Sequence, residues 1–291
     1  MSSRGGYIDP NFPNPNGPND APVIIYGYTP SYALAISVAA LFSLALLIQL
    51  AQLYRYRAWY FSTVPLGLIL EILGYIFRSF SANKDPYNVI YFVVQYFFIV
   101  CAPVFLSAGI YAVLSVLINR VGKEYSLLRP KLVLWIFITS DVLCTTLQVA
   151  GAAILGSAQS NRKDPNTGNH ILTAGLAIQV FVFALFLILT ALFFSQAWSL
   201  IWVKGRKSFI VSFVAATGCI YLRTCYRLAE TAEGVGGRLF SSEGFFVGLE
   251  VVPVLVAVWL FCGWCPGRCL GKREGNEDVE MIGDGGGEGR K

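Results

Sequence analysis

The chain is short of charge. Of its 291 residues only 13% are Asp, Glu, Lys or Arg, against about 25% in a soluble domain. Hydrophobic residues make up 55% and mean hydropathy is +0.59. So few charges do not coat a globule, so lipid must solvate much of the surface. Histidine is scarcer still: His170 is the single one, at a loop–helix boundary. A zinc-dependent intramembrane hydrolase needs several His or carboxylate ligands and is excluded. Asp141 is the one aspartate deep in an apolar run, whereas an aspartyl intramembrane protease needs two. The last apolar run holds no lysine for a retinal Schiff base. No Walker A sequence is present, so ATP hydrolysis by this chain is not expected. The expectation is a non-enzyme with no metal, no cofactor and no nucleic-acid partner.

Other absences concern processing. There is no Asn-x-Ser/Thr sequon for N-glycosylation. Residues 1–29 are polar and rich in Pro, Asn and Gly, without the apolar core of a cleavable signal. The first apolar run is therefore expected to act as an uncleaved start signal.

What is present is a succession of apolar runs, at about 31–53, 59–80, 88–118, 131–157, 171–198, 208–230 and 244–264. A span needs roughly 20 residues. Pro30, Lys84-Asp85-Pro86, Pro130, Asp164-Pro165-Asn166-Thr167-Gly168 and Lys204-Gly205-Arg206-Lys207 punctuate them. Helices are expected, because an open sheet leaves backbone groups unpaired in hydrocarbon. The sequence thus predicts an all-α membrane protein, a seven-helix transmembrane bundle over 30–264. Residues 1–29 form a leading segment and 265–291 a charged, glycine-rich tail expected to be disordered.

Basic residues set the orientation. Arg55, Arg57, Arg120, Lys123, Arg129, Lys131, Lys204, Arg206, Lys207, Arg268, Lys272 and Arg273 fall on one side, and Arg4, Lys84, Arg162, Lys163 and Arg238 on the other. The richer side is cytoplasmic by the positive-inside rule, which puts the N-terminus outside and the C-terminus in the cytoplasm. Trp59, Trp198, Trp202, Trp259 and Trp264 fall near the cytoplasmic ends as an interfacial belt. Pro65, Pro103 and Pro253 lie inside runs and are expected to kink them. Gly234, Gly236 and Gly237 make the last connection flexible, as a gate or a plain turn. Of seven cysteines, Cys101, Cys144, Cys219 and Cys225 sit within apolar runs as small hydrophobes. Cys262, Cys265 and Cys269 cluster at a membrane edge, where they are candidates for S-palmitoylation or simply pack.

Ionisable residues inside a span cost roughly 2.5–3.5 kcal/mol each on insertion scales. This chain keeps Glu71, Arg78, Asp141, Arg223, Arg227, Glu230 and Glu250 in or at the margins of its helices. Glu71, Gly74, Tyr75 and Arg78 recur at i, i+3, i+4 and i+7 and share one helix face, as do Arg223, Tyr226, Arg227 and Glu230. Asp141, Thr145, Gln148 and Ala152 form a stripe on the fourth helix, and Gln95 and Gln179 add polar positions on the third and fifth. These faces are expected to look inward, either locking helices together or lining a polar pocket. By depth, Arg223 is expected to pair with Glu71 or Glu250 in the outer half of the bundle, with Asp141 lower. The candidate substrate-binding set is therefore Glu71, Tyr75, Arg78, Asp141, Gln148, Gln179, Arg223, Tyr226, Arg227, Glu230 and Glu250.

The ordered pattern resembles the fungal lipid-translocating exporters, the RTA-like proteins named for resistance to aminocholesterol. The resemblance runs from Tyr28-Thr29-Pro30 through Glu71-x-x-Gly74-Tyr75-x-x-Arg78, Ala102-Pro103, Tyr111, Asp141, Gln148, Gly151, Gly175 and Gln179. Its most specific part is Arg223-x-x-Tyr226-Arg227-x-x-Glu230 with Gly234 beyond it, then Glu243. One departure is Glu250, where the family usually carries aspartate. The resemblance implies a plasma-membrane protein that exports or translocates amphipathic lipids such as sphingoid long-chain bases and confers tolerance to toxic amphiphiles. Some relatives are tied to porphyrin handling. Its partners would then be membrane lipids and amphipathic small molecules. The alternative is a seven-helix receptor, or a regulator of lipid asymmetry without transport of its own.

Overall fold

A computed structural model describes residues 26–160, 166–197, 207–234 and 237–269, together with Asp9, Phe12, Asp20, Ala21 and Ile24. The side chains of Lys123 and of 156–160 are not among those described. Nor are Arg162, Lys163, Trp198, Trp202, Lys204, Arg206, Gly236 and the tail beyond Cys269, so the expectations placed on them lie outside the described residues.

Seven helices are long and apolar enough to cross a membrane, as the sequence predicts. They are α1 (Tyr32–Tyr56), α2 (Thr63–Asn83), α3 (Val89–Val121), α4 (Pro130–Ser160), α5 (Asn166–Gln196) and α6 (Lys207–Glu233), with a seventh span, α7, over Glu243–Cys269. Most run a few residues past an end of the apolar stretch, and two begin at polar caps. Ser31 caps α1 by accepting from Leu34 N, and the Asn88 side chain accepts from the backbone of Ile90 and Tyr91 at the start of α3. Gly234 ends α6 at φ 79°, a left-handed conformation that suits glycine.

The three prolines expected to kink their helices sit in different places. Pro65 is in the first turn of α2, and Pro253 follows directly on the first residue of a regular helix, Val252–Gly263. A proline in the first turn, as Pro65 is, removes an N–H that has no intrahelical partner there, whereas Pro253 follows a π turn without a break in the helical span. Pro103 is well inside a regular helix, buried in α3. The irregularity near Pro253 takes another form: Phe246–Val251 is a π turn carrying Glu250. Such turns are rare and concentrate at functional sites.

Neighbouring helices pack in chain order, α1 to α2 and on to α7, and α7 returns to α1. Helix α3 also touches α6, and from Ala102 to Ile118 nearly every residue of α3 is buried. Close approach depends on small residues, as in membrane bundles generally. A Cβ on Gly168 of α5 would lie 2.5 Å from the Leu155 nitrogen of α4. The outward faces are apolar: Leu47, Leu143, Phe181 and Ile188 are all more than half exposed. Trp59 and Trp264 are exposed at one end, with Trp135, while Trp259 is packed against the core. That end also carries the α1–α2 and α3–α4 connections. The N-terminal segment and the α2–α3 and α6–α7 connections share the other, here termed the N-terminal end.

Candidate functional site: an ionic core beneath the N-terminal segment

The face of α2 predicted from spacing is formed: Glu71, Gly74, Tyr75 and Arg78 are all buried. Gly74 lets α2 lie against α3, since a Cβ there would meet Ile99 Cγ1 at 2.8 Å. On α6, Arg223, Tyr226, Arg227 and Glu230 are buried likewise. Glu250 enters from the π turn, 1% exposed. Of the two partners expected for Arg223, Glu250 is the one it meets: Nη2 donates to Oε1 at 2.5 Å and to the Ile99 carbonyl at 2.8 Å. Arg227 Nη1 donates to Glu230 Oε2 at 2.6 Å, and its Nε stands 4.0 Å from Glu250 Oε2. Arg78 Nη2 lies 3.2 Å from Glu243 Oε1 and 2.9 Å from the Tyr28 hydroxyl, to which it donates. Its guanidinium also sits 4.2 Å above the Phe246 ring, and that of Arg227 sits 5.0 Å from Tyr96. Such stacking offsets part of the cost of dehydrating a guanidinium.

Glu71 stands differently. It is 2% exposed, and among the described residues it makes no ion pair and no hydrogen bond. Its electrostatic neighbours are Arg223, Glu250 and Arg227. Each of the three arginines is already held by another carboxylate, so Glu71 is the acid left over. Four further polar atoms here have no hydrogen-bond partner: Arg78 Nε, Arg223 Nε, Arg227 Nη2 and Glu250 Oε2.

The N-terminal segment closes this core from above. Tyr26 is buried, and its hydroxyl donates to Gln95 of α3 and, at 3.2 Å, lies against Ser81 of α2. Burial holds the Tyr26 phenol above its ordinary range, at about 12, with Arg78 pulling the other way. Burial raises Tyr28 as well, again against Arg78. Ser31 N donates to Glu243 Oε1 at 2.9 Å, so one carboxylate joins the start of α1 to Arg78. Ile24, Tyr26 and Tyr87 form a small satellite core, and Ala21 N donates to the Tyr87 carbonyl at 2.9 Å. Sequence reasoning missed the contributions of Tyr26, Tyr28, Tyr96, Glu243 and Phe246 to the core. Glu243 fell just before the apolar run, and the aromatics look like ordinary packing. The Tyr28-Thr29-Pro30 motif was the available signal.

The rest of the predicted set lies elsewhere. Tyr75 stacks on Phe42 of α1, centroids 5.7 Å apart, and so packs the bundle. The Tyr226 hydroxyl donates to the Leu239 carbonyl at 3.4 Å. Gln148 donates to Gln179 at 2.6 Å, joining α4 to α5. Asp141 accepts from the Tyr111 hydroxyl at 2.8 Å. Tyr111 is twelve residues beyond Ile99 on α3, about 18 Å along the axis. The candidates therefore divide into an ionic core on α2, α6 and α7 and a separate polar group, Asp141, Gln148 and Gln179, on α4 and α5. Cys262 is buried with its thiol 3.7 Å from Gln49 Nε2 and from the Ala45 carbonyl, Cys265 is buried, and Cys269 is half-buried.

A family model described as RTA1 like protein matches residues 64–273, which include α3 to α7 and all of α2 but its first residue. The chain belongs to the RTA1-like family. Among its relatives is the sphingoid long-chain base transporter RSB1 of Saccharomyces cerevisiae, 29% identical over 279 residues, covering 83% of this chain and 73% of that protein. Protoporphyrin uptake protein 1 of the same yeast is 26% identical over 83% of this chain and 92% of its own length. The yeast protein RTM1 is 27% identical over 70% and 67% respectively. No solved structure matches. Every charged residue of the ionic core of this RTA1-like chain lies within the matched span.

Proposed function

We propose that this chain translocates amphipathic lipids with a cationic headgroup, of the sphingoid long-chain base class, and that Glu71 receives the amine. One observation carries the reading: Glu71 is a buried carboxylate with no ion pair, in a core whose three arginines are each paired with another acid. A buried carboxyl group ionises where a cation comes to meet it, and an arriving ammonium is such a partner. A long-chain base supplies an ammonium, and its tail stays in the hydrocarbon beside the apolar outer faces. The unpartnered nitrogens of Arg78, Arg223 and Arg227 and the Glu250 oxygen suit the hydroxyls of such a headgroup. The relation to a protein named as a sphingoid long-chain base transporter supports the class, and names of transport and uptake among the relatives fit a non-enzyme.

The orientation proposed is N-terminus outside. Arg55, Arg57, Arg120, Arg129, Lys131 and Arg268 gather at the end opposite the N-terminal segment, where a positive surface belongs in the cytoplasm. Glu71 is then reached from the outer half, in a plasma membrane, with export as the direction and tolerance of toxic amphiphiles as its consequence.

The test is transbilayer movement of a labelled sphingoid base in proteoliposomes, with Glu71→Gln protein and empty vesicles as controls. Faster movement that Glu71→Gln abolishes is the expected result. Movement no faster than in empty vesicles, with the protein folded, replaces this reading with a receptor or a regulator of lipid asymmetry.

A further inference from the structure

Asp141 is 1% exposed in the middle of α4, away from the ionic core. Its Oδ2 accepts a single hydrogen bond, from the Tyr111 hydroxyl, and its Oδ1 has no partner. No arginine or lysine among the described residues lies within 4.0 Å of it. The groups around it are neutral. From α3 comes Tyr111, which the buried Ser107 in turn meets, and from α4 itself comes the Cys144 thiol. From α5, Phe183 and Phe186 close on the Tyr111 ring at 6.1 and 4.6 Å, and Phe137 of α4 closes on it at 5.5 Å. Tyr221 of α6, stacked on Phe183, is the next titratable group outward.

A carboxylate ion in such a box has one neutral donor and no countercharge, which is among the costliest arrangements in a protein interior. A carboxylic acid costs far less. Tyr111 then serves the carbonyl oxygen, and the O–H is a small polar group without charge.

We propose that Asp141 is a proton-binding site: the closed bundle holds the acid form, and the proton passes to water when α3 and α4 separate. The step is simple ionisation, carboxyl to carboxylate with the proton to water, so no other reactant is required. Tyr111 is the positioning residue, because its hydroxyl is the single contact that ties the acid to α3. The proton site stands independently of transport, whereas its use to drive lipid export rests on the transport reading above.

The test is infrared spectroscopy of the purified full chain in lipid nanodiscs at neutral pH, read in the carbonyl-stretch region of protonated carboxylic acids. Subtracting the Asp141→Asn spectrum from wild type is expected to reveal a band worth one carboxylic acid per chain. Tyr111→Phe keeps that band and moves it to higher wavenumber, because the carbonyl loses its donor. A difference spectrum with carboxylate bands and no carboxylic band overturns the proposal, as does a band indifferent to Tyr111→Phe. In proteoliposomes a pH gradient is expected to speed sphingoid-base movement several-fold for wild type and not at all for Asp141→Asn. Wild type that moves no lipid while showing the band defeats the transport reading and leaves the proton site in place.

Discussion

A single nitrogen of Arg223 donates to the Glu250 carboxylate at 2.5 Å and to the Ile99 carbonyl at 2.8 Å, so one side chain on α6 ties α7 and α3 together. Both partners are almost fully buried, with side-chain exposures of 6% and 2%. Removing one partner of such a pair strands the other charge, which typically costs about 3–5 kcal/mol. Arg223→Ala and Glu250→Gln are each expected to destabilise the bundle by that order, measured by denaturation in detergent. Arg223→Met with Glu250→Leu removes both charges and is expected to lose far less than Arg223→Met and Glu250→Leu made singly and added together. Strict additivity of the two would mean that the pair is not coupled.

Glu71 is expected to behave in the opposite way. It has no ion pair to lose, and Gln is a near-isostere without charge. Glu71→Gln is therefore expected to leave the melting temperature unchanged or raised, because a buried unpaired acid is itself a cost. Lipid translocation is expected to fall at least tenfold in the same protein. A stability loss equal to that of Glu250→Gln would show Glu71 to be part of the structural network instead.

The inward faces of α2 and α6 were legible in the sequence because four polar positions at i, i+3, i+4 and i+7 admit one geometry on a helix. The Arg223–Glu250 pair was legible to within two candidates, since depth along a helix follows from residue count. Helix order around the bundle was not, so the choice between Glu71 and Glu250 had to wait for the structure. The π turn was hidden as well. Pro253 was visible, but a missing N–H can be met by a bend, a helix start or a wide turn, and packing decides among them. The cover formed by Tyr26 and Tyr28 was hidden for a different reason: a polar, proline-rich segment carries no periodicity, and its order comes from partners some fifty residues away, as in the Arg78–Tyr28 bond.

That cover makes a prediction about access. Tyr28 accepts from Arg78 at 2.9 Å and its ring lies 5.8 Å from the guanidinium. Tyr28→Phe keeps the ring and loses the acceptor, a change worth about 1–3 kcal/mol when the donor is charged. Protease cleavage ahead of α1 is expected to quicken several-fold in Tyr28→Phe and further in Tyr28→Ala, with the seven helices intact by circular dichroism. Equal cleavage rates in all three proteins would show that Arg78 does not hold the segment down.

The α4–α5 seam offers a test of packing that does not involve charge. A Cβ on Gly168 would lie 2.5 Å from Leu155 N and 2.9 Å from the Gly151 carbonyl, and both are backbone atoms that no rotamer change can move. Gly168→Ala is therefore expected to push the two helices apart and cost about 1–3 kcal/mol, the range for forced overpacking. It should also stretch the Gln148–Gln179 hydrogen bond, now 2.6 Å, that spans the same seam. Gly218 of α6 is the control: nothing lies within 4 Å of where its Cβ would be. Gly218→Ala is expected to be neutral or to stabilise by roughly 0.5–1 kcal/mol, because alanine loses less backbone freedom than glycine in a helix. Thermal unfolding of the two variants side by side decides the matter, and similar shifts in both would mean that the seam is loose enough to absorb a methyl group.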